Sequence, residues 1–414
     1  MTTIPADLQR RALRVLTAGQ VAGAAGLGSA ITVGIYVVED IVGVDTPWLG
    51  LAGACVTLGA ATMAQALSRV MRRRGRRAGM QLGYGLATIG SLLAFAGVET
   101  SLLPVFLAGL LLFGAGTATN LLARYAATDL AAPDRRGAAM GRILFASTFG
   151  AVLGPLLIVP AEHAGMAFGL QKYSGPWLLS ALLFTGSMIN VALRLRPDPL
   201  LVLQAAQGTA GLDRPLSLRV ALAAIRRSPN ARLGLVSMIL TQLVMIGLMA
   251  MAPVVMKHQH HEVLGPLVLS VHLVGMYAFS PLAGRYADRR GRRAALRTGA
   301  WVMIAASVSS LAAGHSVPIM FLSMGSLGVG STMGLIAGSS LLSDHVPVDV
   351  RVAVQGTADL LTAAAGGIAG LAAGVVVDLL GYGLLGIAAA LLTLPILAGL
   401  RREPARVTSQ GGSR

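Results

Sequence analysis

The sequence predicts an all-α integral membrane protein with twelve transmembrane helices in two parallel six-helix repeats. Three observations carry this reading. The mean hydropathy of the 414-residue chain is +0.71, with 55% apolar and 12% charged residues, whereas soluble proteins carry about 25% charged residues. The apolar residues gather into twelve runs, each long enough to cross a hydrocarbon core of about 30 Å at about 1.5 Å per residue. Two motifs recur at almost one spacing between the halves of the chain. This composition excludes a water-soluble enzyme, a nucleic-acid-binding domain and a disordered chain. The net charge of +16 does not argue otherwise, because the basic residues fall in short bursts between apolar runs.

In chain order, predicted spans 1 to 6 cover 15–37, 47–68, 79–97, 103–125, 139–160 and 176–195. Spans 7 to 12 cover 233–255, 263–283, 295–313, 316–342, 352–377 and 380–400. Span 1 follows the polar stretch Met1–Leu13 and is too long for a cleaved signal peptide, so it is read as a retained helix. The 52 glycines suit close packing of membrane helices. Cys55, the one cysteine, lies inside span 2 and reads as a small buried hydrophobe. The domain plan is a first six-helix half at 1–195, a linker at 196–232, a second half at 233–400 and a tail at 401–414. Within the linker, 216–227 has the pattern of a short amphipathic helix with Leu218, Val220, Leu222 and Ile225 toward lipid; a plain linker helix fits the pattern equally. The Gly/Ser-rich end of the tail is expected to be disordered.

Orientation follows from the basic residues. If connections alternate between two sides, 31 of the 33 Lys and Arg residues fall on one side, leaving only Lys172 and Lys257 for the other. Positively charged connections stay in the cytoplasm. The expectation is a multi-pass protein of the cell (plasma) membrane with both termini inside.

The repeat is visible in the loops. Arg72-Arg73-Arg74-Gly75-Arg76-Arg77 matches Asp288-Arg289-Arg290-Gly291-Arg292-Arg293 at an offset of 216. Asp129, Asp134, Arg136, Ala138 and Gly141 match Asp344, Asp349, Arg351, Ala353 and Gly356 at an offset of 215. Both members of each pair lie on the same predicted side, so the repeats are parallel and related by an axis along the membrane normal. The stretch from Gly284 through Asp288, Arg289, Gly291 and Arg292 to Leu296 resembles the loop signature of the major facilitator superfamily, between spans 8 and 9. The first-half copy departs from it: Ser68 stands at the first glycine and Arg72 at the aspartate. In span 5, Gly141, Gly150, Gly154 and Pro155 resemble the glycine motif of the superfamily's drug exporters and antiporters, without its closing Gly-Gly. The span 4 motif of those antiporters carries an arginine before Gly-x-Gly; here Leu110 precedes Gly114-Ala115-Gly116. The resemblance implies a secondary transporter that works by alternating access. It also implies a cytoplasmic gate built from Arg72, Gly75, Arg76, Asp129, Arg136, Arg142, Gly284, Asp288, Arg289, Gly291, Arg292, Asp344 and Arg351. In that gate Asp288 meets the start of span 5, while Arg72 faces the start of span 11 near Arg351.

Ionisable residues inside a span are costly and mark functional sites. Asp359, in span 11, is a candidate for proton coupling; the alternative is a residue facing the cytoplasm and paired with an arginine. His272, in the middle of span 8, is a second proton-coupling candidate, able to switch charge or bond a substrate, or else simply bonded to a neighbouring helix. Arg124 and Arg142 read as side chains reaching to headgroups. Candidate substrate-cavity residues are Gln20, Thr117, Asn120, Gln242, Met245, Met249 and His272: the methionines give a flexible apolar face, and the amides and hydroxyl give polar contacts. Alternatively the methionine stripe is packing. The tract His258-Gln259-His260-His261-Glu262 reads as a solvated loop with no closed metal-ligand spacing. No metal, cofactor or nucleotide-powered site is expected. The expected partners are a small-molecule substrate, protons and the lipid bilayer, with no nucleic acid, and the chain is expected to act as a monomer. The leading functional reading is proton-coupled export of amphipathic small molecules. The alternative is proton-linked import of a small polar metabolite, and a polytopic membrane enzyme is remote.

Overall fold

The computed structural model describes residues 6–42, 51–207, 218–261 and 264–401, and the regular elements among them are all helices. The first half holds α1 (Ala6–Val42), α2 (Leu51–Glu99), α3 (Leu103–Ala126), α4 (Arg136–Leu156), α5 (Ile158–Ala167) and α6 (Ser174–Arg194). The connecting stretch holds α7 (Pro199–Ala206) and α8 (Leu218–Arg227). The second half holds α9 (Pro229–His258), α10 (Gly265–Ala278), α11 (Ser280–Arg290), α12 (Arg292–Ala313), α13 (Val317–Asp344) and α14 (Val348–Arg401).

Nine helical stretches among the described residues are long and apolar enough to cross a bilayer. Two of them, α2 and α14, are each broken at a glycine and hold two spans, and the 37-residue α1 completes the twelve. Gly75 adopts φ 87°, ψ 170° and its repeat equivalent Gly291 adopts φ 89°, ψ 153°, a region where a Cβ is strained and glycine is not. At Gly75 the chain turns back so tightly that a Cβ on Gly79 would lie 2.2 Å from Met71 Cγ. Gly381 breaks α14 with similar angles.

Several helices run past the predicted spans. Span 5 ends at Ala167 rather than 160, interrupted at Leu157, two residues beyond Pro155, which has no N–H to give. Span 8 reaches Arg290, with a break at Phe279 just before Pro281. Helices continue into polar sequence where hydropathy has already fallen, so apolar runs mark the membrane rather than the helix ends. α8 is amphipathic, but Ala221 and Ile225 pack inward against α9 and α14, while Leu218 and Val220 stay exposed. The expectation that Ile225 faces lipid is therefore wrong. The tail beyond Arg401 and Glu262 of the histidine tract lie outside the described residues.

Between apolar helices in lipid, association rests on close packing and polar contacts. The first half is filled by aromatics: Trp177 meets Phe106 edge-on at 5.3 Å and Phe113 at 5.6 Å, and Phe113 meets Phe184 at 5.4 Å. Small residues let backbones touch, as where a Cβ on Gly59 would lie 2.0 Å from the Leu111 carbonyl. The two halves meet on the arginine-rich side, called here the basic face, through two crossings related by the repeat. α4 crosses α11, and the start of α14 crosses the 51–74 arm of α2. In the first, a Cβ on Gly284 would lie 2.2 Å from Gly137 O, and one on Gly141 2.4 Å from Ser280 O. In the second, a Cβ on Gly356 would lie 2.3 Å from Ser68 Oγ.

Candidate functional site between the two halves

The α4–α11 crossing is tied by charge. Asp288, near the end of α11, accepts from the backbone N–H of Gly137 (2.9 Å) and of Ala138 (2.7 Å) at the start of α4. A carboxylate there satisfies two free N–H groups and meets the positive end of the helix dipole. Arg292 donates to Asp288 Oδ1 (2.5 Å) and to Pro133 O (2.6 Å), and lies 3.6 Å from Asp344. Arg136 pairs with Asp344. Four charged groups from both halves thus converge at one crossing.

The related α14–α2 crossing is built differently. Arg72 occupies the aspartate position and is buried. No carboxylate meets the start of α14 in the contacts described here; Asp198, within the first half, accepts instead from the N–H of Arg76 (3.1 Å) and Arg77 (2.7 Å), and also caps α7 through Leu200 and Leu201. It lies against Gly75, where a Cβ would be 2.4 Å away. Arg76 is wholly buried, bonding Asp129 at 2.8 Å and 3.2 Å. Its Nη2 also donates to Gln355 Oε1 of α14 at 2.8 Å, and Gln355 Nε2 donates to Ser343 (3.1 Å). Gln65 of α2 donates to Thr357 of α14 at 3.0 Å. The first half therefore holds the second here through neutral acceptors. Arg351 sits among Arg136, Arg76, Asp129 and Asp344.

Next to this crossing lies a buried ion pair between the halves. Arg124 Nη2, near the end of α3, donates to Asp359 Oδ1 of α14 at 2.5 Å and to the Tyr125 hydroxyl at 3.1 Å. Both charged side chains are 2% exposed. The reading of Arg124 as a residue reaching to headgroups is thus overturned: its guanidinium is enclosed by protein. Because α14 begins at Val348, Asp359 lies about three turns into the helix rather than two. By the offset of 215, the repeat places Ser339 opposite Arg124 and Leu144 opposite Asp359. Leu144 packs in an apolar cluster, so the fold itself does not require a charge pair at this level.

The other candidates are dispersed. His272 is buried within the second half, its Nδ1 3.1 Å from Met324 O. A carbonyl only accepts, so Nδ1 carries the hydrogen; this is the neighbouring-helix bond of the plainer alternative. Gln20 donates to Ser147 (2.8 Å), Asn120 accepts from Tyr84 (2.9 Å), and Gln242 lies against Gly366 of α14. Thr117 is partly buried, Met245 is buried, and Met249 is partly buried. Arg142 and Arg289 are exposed and take no part in the contacts described. Gly150 and Gly154 pack against α1 at Val21–Gly28, whereas Gly141 packs against α11, so the glycine motif serves two neighbours rather than one groove. Sequence reasoning missed Gln355, Tyr125 and Asp198. Only Asp198 carried a local signal, an aspartate directly before Pro199 at a helix start.

The profile of the Major Facilitator Superfamily matches residues 19–273 and 264–414. The chain belongs to this superfamily. It is a secondary transporter by family, and its fold is that of transporters rather than of enzymes. It is 34% identical over 405 residues to the uncharacterized MFS-type transporter YdeG of Bacillus subtilis, covering 95% of this chain and 93% of that protein. It is 36% identical over 399 residues to YddS of the same organism, covering 94% and 90%. The riboflavin transporter RfnT of Brucella anthropi is 26% identical over 359 residues, 86% of each chain. Among solved structures, the human organic anion transporter MFSD10 superposes with a TM-score of 0.76 at 18% identity, covering 96% of this chain and all of that one. FucP in its outward conformation gives 0.74 at 15% identity, covering 94% and 97%. At these identities the structures speak for the fold.

Proposed function

We propose that this transporter is proton-coupled, that Asp359 takes and releases the proton, and that it exports amphipathic small molecules. The observation that supports this is the Arg124–Asp359 pair, buried between two halves that must separate for access to alternate. We also propose that the basic face is cytoplasmic in the plasma membrane, with both termini inside. The protein then stands with its cytoplasmic side closed. It works as a monomer, with the halves at 1–195 and 233–400 rocking about the linker at 196–232.

The chemistry follows from charge. While Asp359 is ionised, Arg124 and Asp359 hold α3 to α14, because among the described residues neither makes a second ion pair in this dry setting. A proton taken up by Asp359 removes the attraction, and the cytoplasmic side opens. Loss of the proton to the cytoplasm restores the pair and closes the gate. The charged crossing of Asp288, Arg292, Asp344 and Arg136 and the crossing of Arg76, Asp129 and Gln355 latch the closed state; Arg351 lies at the second crossing, whereas Arg142 and Arg289 are left without a role there. Cavity contacts are assigned to Gln20, Thr117, Asn120, Gln242, Met245 and Met249. His272, bonded inside the second half, is the weaker proton candidate. Export is favoured by the resemblance of Gly141, Gly150, Gly154 and Pro155 to the glycine motif of the superfamily's exporters. Proton-linked import is the second reading, favoured by likeness to a protein named a riboflavin transporter.

The test is transport by proteoliposomes loaded with a pH dye, against a panel of dyes and metabolites. Proton movement opposite to substrate, lost in Asp359→Asn, is expected. Proton movement in the same direction selects import. Unaltered proton movement in Asp359→Asn removes Asp359 from the mechanism.

A further inference from the structure

The Arg124–Asp359 pair leaves hydrogen-bonding groups unused. Arg124 is 1% exposed, and its bonds to Asp359 and Tyr125 both run through Nη2. Its Nε and Nη1 have no hydrogen-bond partner among the described residues. The same is true of the Thr117 hydroxyl, seven residues earlier and so two turns along α3. It is true too of Thr362, one turn beyond Asp359 on α14. Unmet donors enclosed in a membrane protein are costly, and here they lie on the two facing helices that the pair joins.

The charge balance narrows what can use them. The remaining cavity candidates, Gln20, Asn120, Gln242, Met245 and Met249, are uncharged. Among the described residues, Asp359 is the one counter-charge bonded to Arg124. When the gate opens, the guanidinium is parted from Asp359 and faces the opened space with a tyrosine hydroxyl and no anion. A cation would be repelled there, and a neutral molecule would leave the charge uncompensated. A carboxylate or similar acidic group offsets it and accepts from its N–H groups. The equivalent positions in the other repeat, Ser339 and Leu144, provide nothing of the kind, so this is a single asymmetric site.

We infer that Arg124 is a substrate-binding residue and that the substrate class is amphipathic organic anions, whose acidic group takes the place of Asp359 on the guanidinium. The inference rests on the transporter reading and names the substrate class for it. Anion and Asp359 compete, so the anion binds with the basic face open, and re-formation of the pair as that face closes displaces it. Thr117 and Thr362 then offer hydroxyls to the acidic group or to the body of the molecule beside it.

The test uses the purified full chain in nanodiscs, titrated by calorimetry at fixed pH and salt with 1-naphthoate, 1-naphthamide and 1-naphthylmethylamine. These probes share an aromatic body and differ in charge. Wild type should bind naphthoate and neither of the others measurably. Asp359→Asn should bind naphthoate more tightly, by on the order of 100-fold for a competitor worth about 3 kcal/mol, because the competing carboxylate is gone. Arg124→Gln should lose naphthoate binding, and Arg124→Lys should keep part of it. If Arg124→Gln fails to fold, the comparison of naphthoate with naphthamide on Asp359→Asn still decides. Equal binding of those two, weaker naphthoate binding in Asp359→Asn, naphthoate binding unchanged in Arg124→Gln, or no naphthoate binding in any form overturns the inference. Asp359→Asn that keeps full pH-driven transport yet gains naphthoate affinity overturns Asp359 as the proton carrier while leaving Arg124 as the anion site.

Discussion

Asp359→Asn should open the basic face, and the structure sets the size of the effect. The substitution keeps the shape of the side chain and an oxygen able to accept from Arg124, but removes the negative charge. With the face closed, Arg124 is enclosed at 1% exposure beside a neutral amide and the Tyr125 hydroxyl. Removing one partner of a buried ion pair costs about 3–5 kcal/mol, chiefly because the other charge is left uncompensated. With the face open, residues 124 and 359 lie on separated halves, Arg124 is hydrated, and that cost disappears. The whole difference therefore falls on the conformational equilibrium. The lower figure, about 3 kcal/mol, applies because the amide oxygen remains, and it moves the ratio of open to closed by on the order of 100-fold. The assay is double electron–electron resonance between spin labels at Ala132→Cys and His345→Cys, both exposed on the basic face, in a Cys55→Ser background. The variant should show a longer-distance population that dominates at a pH where the parent is closed. Distance distributions that coincide in parent and variant would refute the idea that this pair holds the halves together.

Asp288→Asn, read with the same labels, should also favour the open form but only several-fold. Its side chain is 6% exposed, but the amide keeps an oxygen for the helix start and Arg292 keeps Asp344, and a charge–helix-start contact of this kind is worth about 0.5–2 kcal/mol. Asp198→Ala should lower thermal stability by about 1–2 kcal/mol, since two helix starts lose their cap, without changing the label distances. In intact cells, cysteines placed at Thr100 and His260 should react with an impermeant thiol reagent, whereas cysteines at Arg74 and Arg290 should not; labelling of Arg74→Cys would reverse the proposed orientation.

The fold was largely legible because a membrane imposes a coarse rule: long apolar runs, separated by bursts of arginine that fall on one side. The repeat offset went further and aligned Gly75 with Gly291, which share an unusual backbone conformation. It also aligned Arg76 and Asp129 with Arg292 and Asp344, which lie together in each half. Helix ends were less legible, since α11 and α5 carry on where hydropathy has already dropped. An arginine partner for Asp359 was one of the two readings, but that the partner is Arg124 was not legible. A lone arginine at the end of an apolar run has an inexpensive local explanation in the headgroups, and only the crossing of α3 with α14, 235 residues apart in sequence, brings a carboxylate to it. The second role of Asp198 was hidden for the same reason: its aspartate–proline start marks the cap of α7, while nothing local indicates that it caps the 76–99 arm of α2 as well.

The two crossings differ in a way that bears on how one proton could move the whole molecule. The α4–α11 crossing is rich in charge at its rim, with Asp288, Arg292, Asp344 and Arg136 engaged, and its interior equivalents Ser339 and Leu144 carry none. The α14–α2 crossing has lost the rim aspartate to Arg72 and holds its partner through Gln355 and Thr357, each a neutral acceptor. A bond from a charged donor to such an acceptor contributes about 1.5–3 kcal/mol and a neutral one about 0.5–1.5 kcal/mol, neither of which changes when a carboxylate is protonated. The Arg124–Asp359 pair lies on this second side. There the pH-insensitive contacts contribute about 2–4.5 kcal/mol together, comparable with the about 3 kcal/mol assigned to the buried pair, so neutralising one carboxylate removes a large share of the closure on that side. Were the pair behind the α4–α11 crossing instead, the four rim charges would hold the halves together after its loss. Placing the titratable contact behind the weak rim lets a single proton decide whether the basic face stays shut.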